Sequence, residues 1–98
     1  MFARVSTFQG KPEDIEKEIR VVRDEIIPKA RVLKGFKGFR MLVNRSSGKS
    51  LGVTFWETEE DMKASEQAAD RLRKEAAQSA GEKIISVERF EIAIDERV

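Results

Sequence analysis

The chain has 98 residues, enough for one domain over 1–98 with a single modest core. Lysine plus arginine number 19 and aspartate plus glutamate 18, so the net charge of +1 supplies no broad field for nucleic acid or an anionic membrane. Cysteine, histidine and tyrosine are absent, which excludes disulfides, thiolate metal sites and cysteine nucleophiles and removes the commonest general base and metal ligand.

Phe2 to Phe8 alternates and is rich in β-formers, which predicts strand one. Arg4 shares a face with Phe2, Ser6 and Phe8. A rim arginine whose stem packs on a phenylalanine is the first expectation there, and a ligand anion contact the second. Gln9-Gly10-Lys11 reads as a turn, and Pro12 suits the first position of helix one. Ile15, Ile19, Val22 and Ile26 give that helix one apolar stripe. Pro28 predicts a kink, with Ile27 pushed away from helical geometry, a last turn through Ala30 and Leu33, and a stop at Gly35.

Strand two is expected over Phe36 to Arg45, with Phe39, Met41 and Val43 on one face and Arg40, Leu42 and Asn44 on the other. Ser46-Ser47-Gly48 with Lys49 forms a hairpin turn. Strand three follows over Leu51 to Glu57. Leu51, Val53 and Phe55 share one face; Ser50, Gly52, Thr54 and Trp56 share the other. Gly52 inside a strand suggests a bulge or the close approach of another backbone.

Thr58 can cap helix two, which is expected to run to about Ala80 and stop at Gly81. Its inner stripe, Met62, Ser65, Ala69, Leu72 and Ala76, is mostly small, so it lies close to the sheet or leaves a cavity over it. Ile84 to Ile94 reads as a long strand four whose excess length predicts pairing with a second subunit.

The order β-α-β-β-α-β gives an α+β, ferredoxin-like fold: a four-stranded antiparallel sheet with two helices on one face. The other face carries enough apolar residues to need covering. Two such sheets meeting face to face form a dimeric α+β barrel, so a homodimer through the sheet faces and strand four is expected. No apolar run approaches the ~20 residues that span a bilayer, and no signal peptide is visible, so the expected location is cytoplasmic, with no membrane or nucleic-acid partner.

The segment LKGFKGFRMLVNRSSGKSLGVTFWETEEDMKASEQA carries a Gly-Phe-x-Gly into strand two, an aliphatic strand three ending in Trp-Glu, and a Thr-x-Glu start of helix two. These are Gly35, Phe36, Gly38, Trp56, Glu57, Thr58 and Glu60. The pattern resembles the antibiotic-biosynthesis-monooxygenase-like (ABM) members of the dimeric α+β barrel superfamily. The resemblance implies a homodimer with a cleft between sheet and helices in each subunit. Characterised members include cofactor-independent oxygenases of aromatic polyketides and quinol-type substrates, and others that degrade haem. The haem degraders use a histidine and a second tryptophan on helix two and an asparagine on strand one. Here no histidine exists, Ser65 stands at the tryptophan position, and strand one offers Ser6 and Thr7. No cofactor is therefore expected.

Trp56 is the leading site candidate by position: an indole offers stacking area and one N–H donor. Its bland alternative is a fold-defining wall. Asn44 can hydrogen-bond a ligand oxygen or support the turn beside it. Arg40 can bind a carboxylate or phenolate, or form a dimer salt bridge. Thr54 shares the Trp56 face and can line the same surface. Arg89 and Glu91 are expected to pair between strands or subunits. Two functions remain open: a cofactor-independent monooxygenase acting on a small aromatic or quinol substrate, and a non-catalytic dimeric protein that binds a small ligand or is associated with stress.

Overall fold

The computed structural model describes residues 1–97. Four strands, β1 (Phe2–Gln9), β2 (Phe36–Val43), β3 (Lys49–Trp56) and β4 (Lys83–Glu91), form one antiparallel sheet in the order β2-β3-β1-β4. β1 and β3 are central. The expected ferredoxin-like α+β architecture is the observed one, with the helices on one face.

Cross-strand register fixes which side chains share that face. Arg4 lies opposite Thr54 and Arg89, Ser6 opposite Gly52 and Val87, and Phe8 opposite Ser50 and Ile84. Phe39 and Met41 continue this inner surface onto β2. The outer surface carries Ala3, Val5, Thr7, Val53, Phe55 and Phe90. Arg4 is thus not a rim residue: β1 is central, and the side chain is 2% exposed.

The first helical segment opens with a tight turn at Pro12–Asp14 and continues as α1 (Ile15–Val21). A π-helical stretch, Val22–Ile26, follows, and α2 (Ile27–Ala30) completes it. The kink expected at Pro28 takes another form. Proline removes one backbone donor and crowds the carbonyl a turn earlier. The chain accommodates this by widening the preceding turn: the Ile27 N–H bonds to the Val22 carbonyl, five residues back. Ile27 itself stays helical, at φ −57° and ψ −44°.

The expected second helix is split at Ser65 into α3 (Glu59–Ala64) and α4 (Glu66–Ala80). The Thr58 hydroxyl accepts from the Asp61 N–H at 3.0 Å, capping α3 as the sequence predicts. The break has a local cause. The Met62 carbonyl accepts from Arg4 Nη2 and from the Ser65 hydroxyl, each at 2.7 Å. Two side-chain donors thus draw on one helical carbonyl. Gly81 closes α4 in the left-handed region, at φ 71°.

Strand four is shorter than expected. It ends at Glu91, because its partner β1 begins at Phe2 and the ladder has nothing further to pair with. Only the Ile92 N–H reaches on, to the Met1 carbonyl at 2.9 Å. Gly52 carries no bulge; the register shifts fall at Thr7/Phe8 and Phe36/Gly38. A glycine that the backbone does require is Gly48. It holds φ 80° in the hairpin turn, and a Cβ there would sit 2.4 Å from the Gly10 carbonyl oxygen. Gly48→Ala is therefore expected to destabilise the fold by about 2 kcal/mol, read as a lowered urea midpoint at unchanged slope. An unchanged midpoint would show that the two turns separate freely.

Candidate functional site

The small inner stripe of the helices does leave a cavity over the sheet. A partly open cleft of about 70 Å³ runs between them, and its surface is almost wholly apolar. Phe8, Phe39, Met41 and Gly52 form its floor. Val22 and Ile26 of the π stretch, with Ala69, Leu72 and Ala76 of α4, form its roof. Gly52 keeps the floor low: a Cβ there would reach ordinary contact with the Phe39 and Phe8 rings, at 3.5 and 3.8 Å.

Charged and hydroxyl groups gather at the two ends. At one end Arg4 is buried beneath α3 and α4. Its Nη2 donates to the Met62 carbonyl, to the Ser65 hydroxyl at 3.1 Å and to Glu66 Oε2 at 2.8 Å. Its guanidinium carbon lies 5.4 Å from the centre of the Trp56 ring, a cation–π contact. Nε and Nη1 are buried without a partner. Glu66 also accepts from Arg89, at 2.6 and 2.9 Å. The Arg89 hydrogen bond, with the Arg4 bond and both positive charges behind it, holds the Glu66 carboxyl down at about 2 against the opposing effect of burial. Arg89 thus pairs with α4, and not across the strands as expected from sequence. Arg73 lines the same end and reaches the Ser6 hydroxyl at 3.4 Å. Burial lowers the Arg73 pKa; Asp70 opposes this, and the neighbouring Arg4 charge reinforces it.

At the other end Glu18 lines the cleft and Glu82 is buried close by, at 2% and 9% exposure. The Ser50 hydroxyl donates to Glu18 Oε2 at 2.7 Å.

The sequence candidates separate in space. Trp56 and Thr54 come together, with the indole N–H donating to Thr54 Oγ1 at 2.9 Å. Thr54 lines the cleft. Trp56 is 1% exposed and packs behind Arg4, edge-on to Phe36 at 5.7 Å. Asn44 lies in the hairpin turn, where Oδ1 accepts from the Ser46 and Ser47 N–H groups at 3.0 and 3.1 Å. Arg40 is exposed on the outer face, across the sheet from the cleft.

Sequence reasoning missed Glu18, Ser50, Arg73 and Glu82. Glu18 had a signal: it stands three residues after Ile15 and four before Val22, on the buried stripe. Glu82 had none, because its burial arises from the turn at Gly10 folding over it.

With this geometry in view, solved structures show the fold. The haem degrader MhuD of Mycobacterium tuberculosis, solved with two haems, superposes with a TM-score of 0.71 at 17% identity, over 99% of this chain and 100% of that one. A Streptomyces coelicolor monooxygenase in complex with nanaomycin D gives 0.66 at 19%, over 98% and 92%. A Deinococcus radiodurans protein assigned to the antibiotic biosynthesis monooxygenases gives 0.70 at 14%, over 100% and 98%. The chain has the ABM fold. No family model matches it. Among curated proteins it is similar to two uncharacterised proteins of Mycobacterium tuberculosis. One is 36% identical over 93 residues, covering 95% of this chain and 41% of the relative. The other is 34% identical over 77 residues, covering 79% and 33%. The chain thus spans about two fifths or less of the curated relatives it matches.

A haem does not fit these residues. The chain has no histidine, cysteine or tyrosine to hold the iron. Among the described residues no group of three or more acidic, histidine or cysteine side chains is placed to hold a metal ion, and no helix is long and apolar enough to cross a membrane.

Glu66 sits in the lowered-pKa case. Its stabilising effect is complete above its ordinary value of 4.5 and is lost as pH falls through about 2. Glu66→Gln should cost about 1 kcal/mol at pH 7 after solvent screening. The deficit should shrink between pH 4.5 and 3 in urea titrations. A deficit independent of pH would show that the loss is one of packing.

Proposed function

We propose that the cleft binds a small aromatic or quinol-type ligand and that its reaction is cofactor-independent monooxygenation. The observation that carries this reading is the cleft itself: an apolar, partly open space with its floor kept clear by Gly52 and fixed polar groups at each end. The similarity in fold to a monooxygenase solved with nanaomycin D supports it. The π stretch on its roof supports it too, since such widened turns are frequent at functional sites. In the reaction, O₂ is the co-reactant: one oxygen atom enters the substrate and the other leaves as water. The two further electrons and two protons that water needs come from the substrate. The chain's part is to bind the ring, exclude bulk water and accept a proton.

The burial of Trp56 behind Arg4, off the cleft wall, favours a second reading, a non-catalytic small-ligand-binding or stress-associated protein. An oxygen electrode separates the two. With a panel of quinols and hydroxynaphthalenes, uptake above the buffer rate is expected, and Gly52→Leu, which fills the floor, should reduce it at least about tenfold. Ligand binding without uptake would transfer the function to the second reading.

We further infer a homodimer through the outer sheet faces. Leu42 and Phe90 are each 49% exposed there, beside Val5, Val53 and Phe55. Arg40, Val53, Val5 and Glu88 form one row across the sheet, with a cation at one edge and an anion at the other. A two-fold axis along the strands sets Arg40 of one copy against Glu88 of the next. Sedimentation at micromolar concentration should give a dimer. Arg40→Glu should weaken it about tenfold, and adding Glu88→Arg should restore it. A wild-type monomer would overturn the inference.

A further inference from the structure

Glu18 and Glu82 are the charged groups whose burial no cation explains. Three of their four carboxyl oxygens, Glu18 Oε1 and both of Glu82, have no hydrogen-bond donor. Neither residue forms an ion pair among the described residues. Asp14 at the start of α1, the Ser50 hydroxyl from β3, and Gly10, whose Cα packs on the Glu82 side chain, face them. Two adjacent buried carboxylates cannot both stay ionised without compensation. One proton held between them supplies the missing donor and removes one charge.

We propose that Ser50, Glu18 and Glu82 form a proton relay that opens into the cleft, and that this end of the cleft receives the hydroxyl group of a phenol- or quinol-type ligand. The inference rests on the reading of the cleft as an aromatic-ligand site and specifies which way round the ligand lies. Ser50 uses its single donor on Glu18, so its oxygen remains an acceptor. A ligand O–H placed against it donates to Oγ. In the transfer the ligand O–H bond breaks and its electron pair stays on the ligand oxygen. The proton joins Ser50 Oγ while the serine proton passes to Glu18 Oε2. Glu82 does not touch the ligand. It is a positioning residue that holds its proton beside Glu18. Burial first, then the hydrogen bond and charge of Glu18, then the charge of Asp14, push the Glu82 carboxyl up to about 9, so Glu82 keeps its proton at neutral pH. The arginine end lies four residues further along β3, at Thr54, about 13 Å away. A hydroxyl at the Glu18 end and an electron-rich ring over Gly52 therefore fit one extended ligand.

Calorimetric titration with 1-naphthol and 1-methoxynaphthalene tests the relay, because the ether keeps the ring and loses the donor. Wild type should bind naphthol about tenfold more tightly than the ether. In Ser50→Ala, which removes the acceptor, that ratio should fall below about twofold. Equal binding of the two probes by wild type, or a preference that survives Ser50→Ala, would overturn the relay and leave the cleft reading standing. No binding of either probe would overturn both. Glu82→Gln supplies a separate readout. The raised pKa means that the stability tied to the Glu82 proton is complete below 4.5 and is lost as pH rises through about 9. The melting temperature of wild type should fall across that window relative to Glu82→Gln, whose amide cannot ionise. Parallel curves would show that no shared proton exists.

Discussion

The buried guanidinium of Arg4 is the constraint on which the rest of this fold depends. It sits in the middle of the sheet, where an unpaired charge would cost several kcal/mol. Its neutralisation therefore dictates its surroundings. Trp56 lies against one side of it, Glu66 supplies the counter-charge, and the Met62 carbonyl and Ser65 hydroxyl complete one of its nitrogens. Trp56 belongs to β3, Met62 to α3 and Glu66 to α4, with Ser65 at the junction of the two helices, so one side chain ties β1 to all three elements. The split of the second helix at Ser65 follows from the same demand, because the carbonyl that Arg4 takes lies one turn before it. Arg89 is drawn in through Glu66, which fastens β4 at the far edge.

The cleft is a by-product of two helices that are both irregular. The widened turn before Pro28 carries Val22 and Ile26 over the sheet, and the short side chains of α4 stand back from it. Helix irregularity, usually a cost in hydrogen-bond geometry, here sets the shape of the surface that a ligand would meet.

The element order, the faces of strands one to three, the hairpin and the Thr58 and Gly81 caps were legible from period-two alternation and from turn residues, because those signals are local; in strand four the register shift at Thr7/Phe8 puts Ile84 and Ser86 on opposite faces. The faces of Phe39, Met41, Thr54 and Trp56 came out as the pattern predicts for that reason. What the sequence did not reveal depends on distant pairings. Arg4 reads as a rim residue until β1 is known to be central. Strand four reads to Ile94 until the start of β1 is seen to limit it. Arg40 and Trp56 read as one group until alternation is combined with sheet pairing, which puts them on opposite surfaces. Glu82 is an ordinary loop acid in sequence, and only the fold of the Gly10 turn buries it.

Trp56 has one more consequence. The chain has a single tryptophan and no tyrosine, so its near-ultraviolet emission comes from one place. That place is a dry wall with a fixed positive charge 5.4 Å above the ring. A charge held over an indole shifts its excited state, and any event that moves Arg4 changes the colour of the emitted light. The protein therefore carries its own optical gauge of the guanidinium's position, without a label.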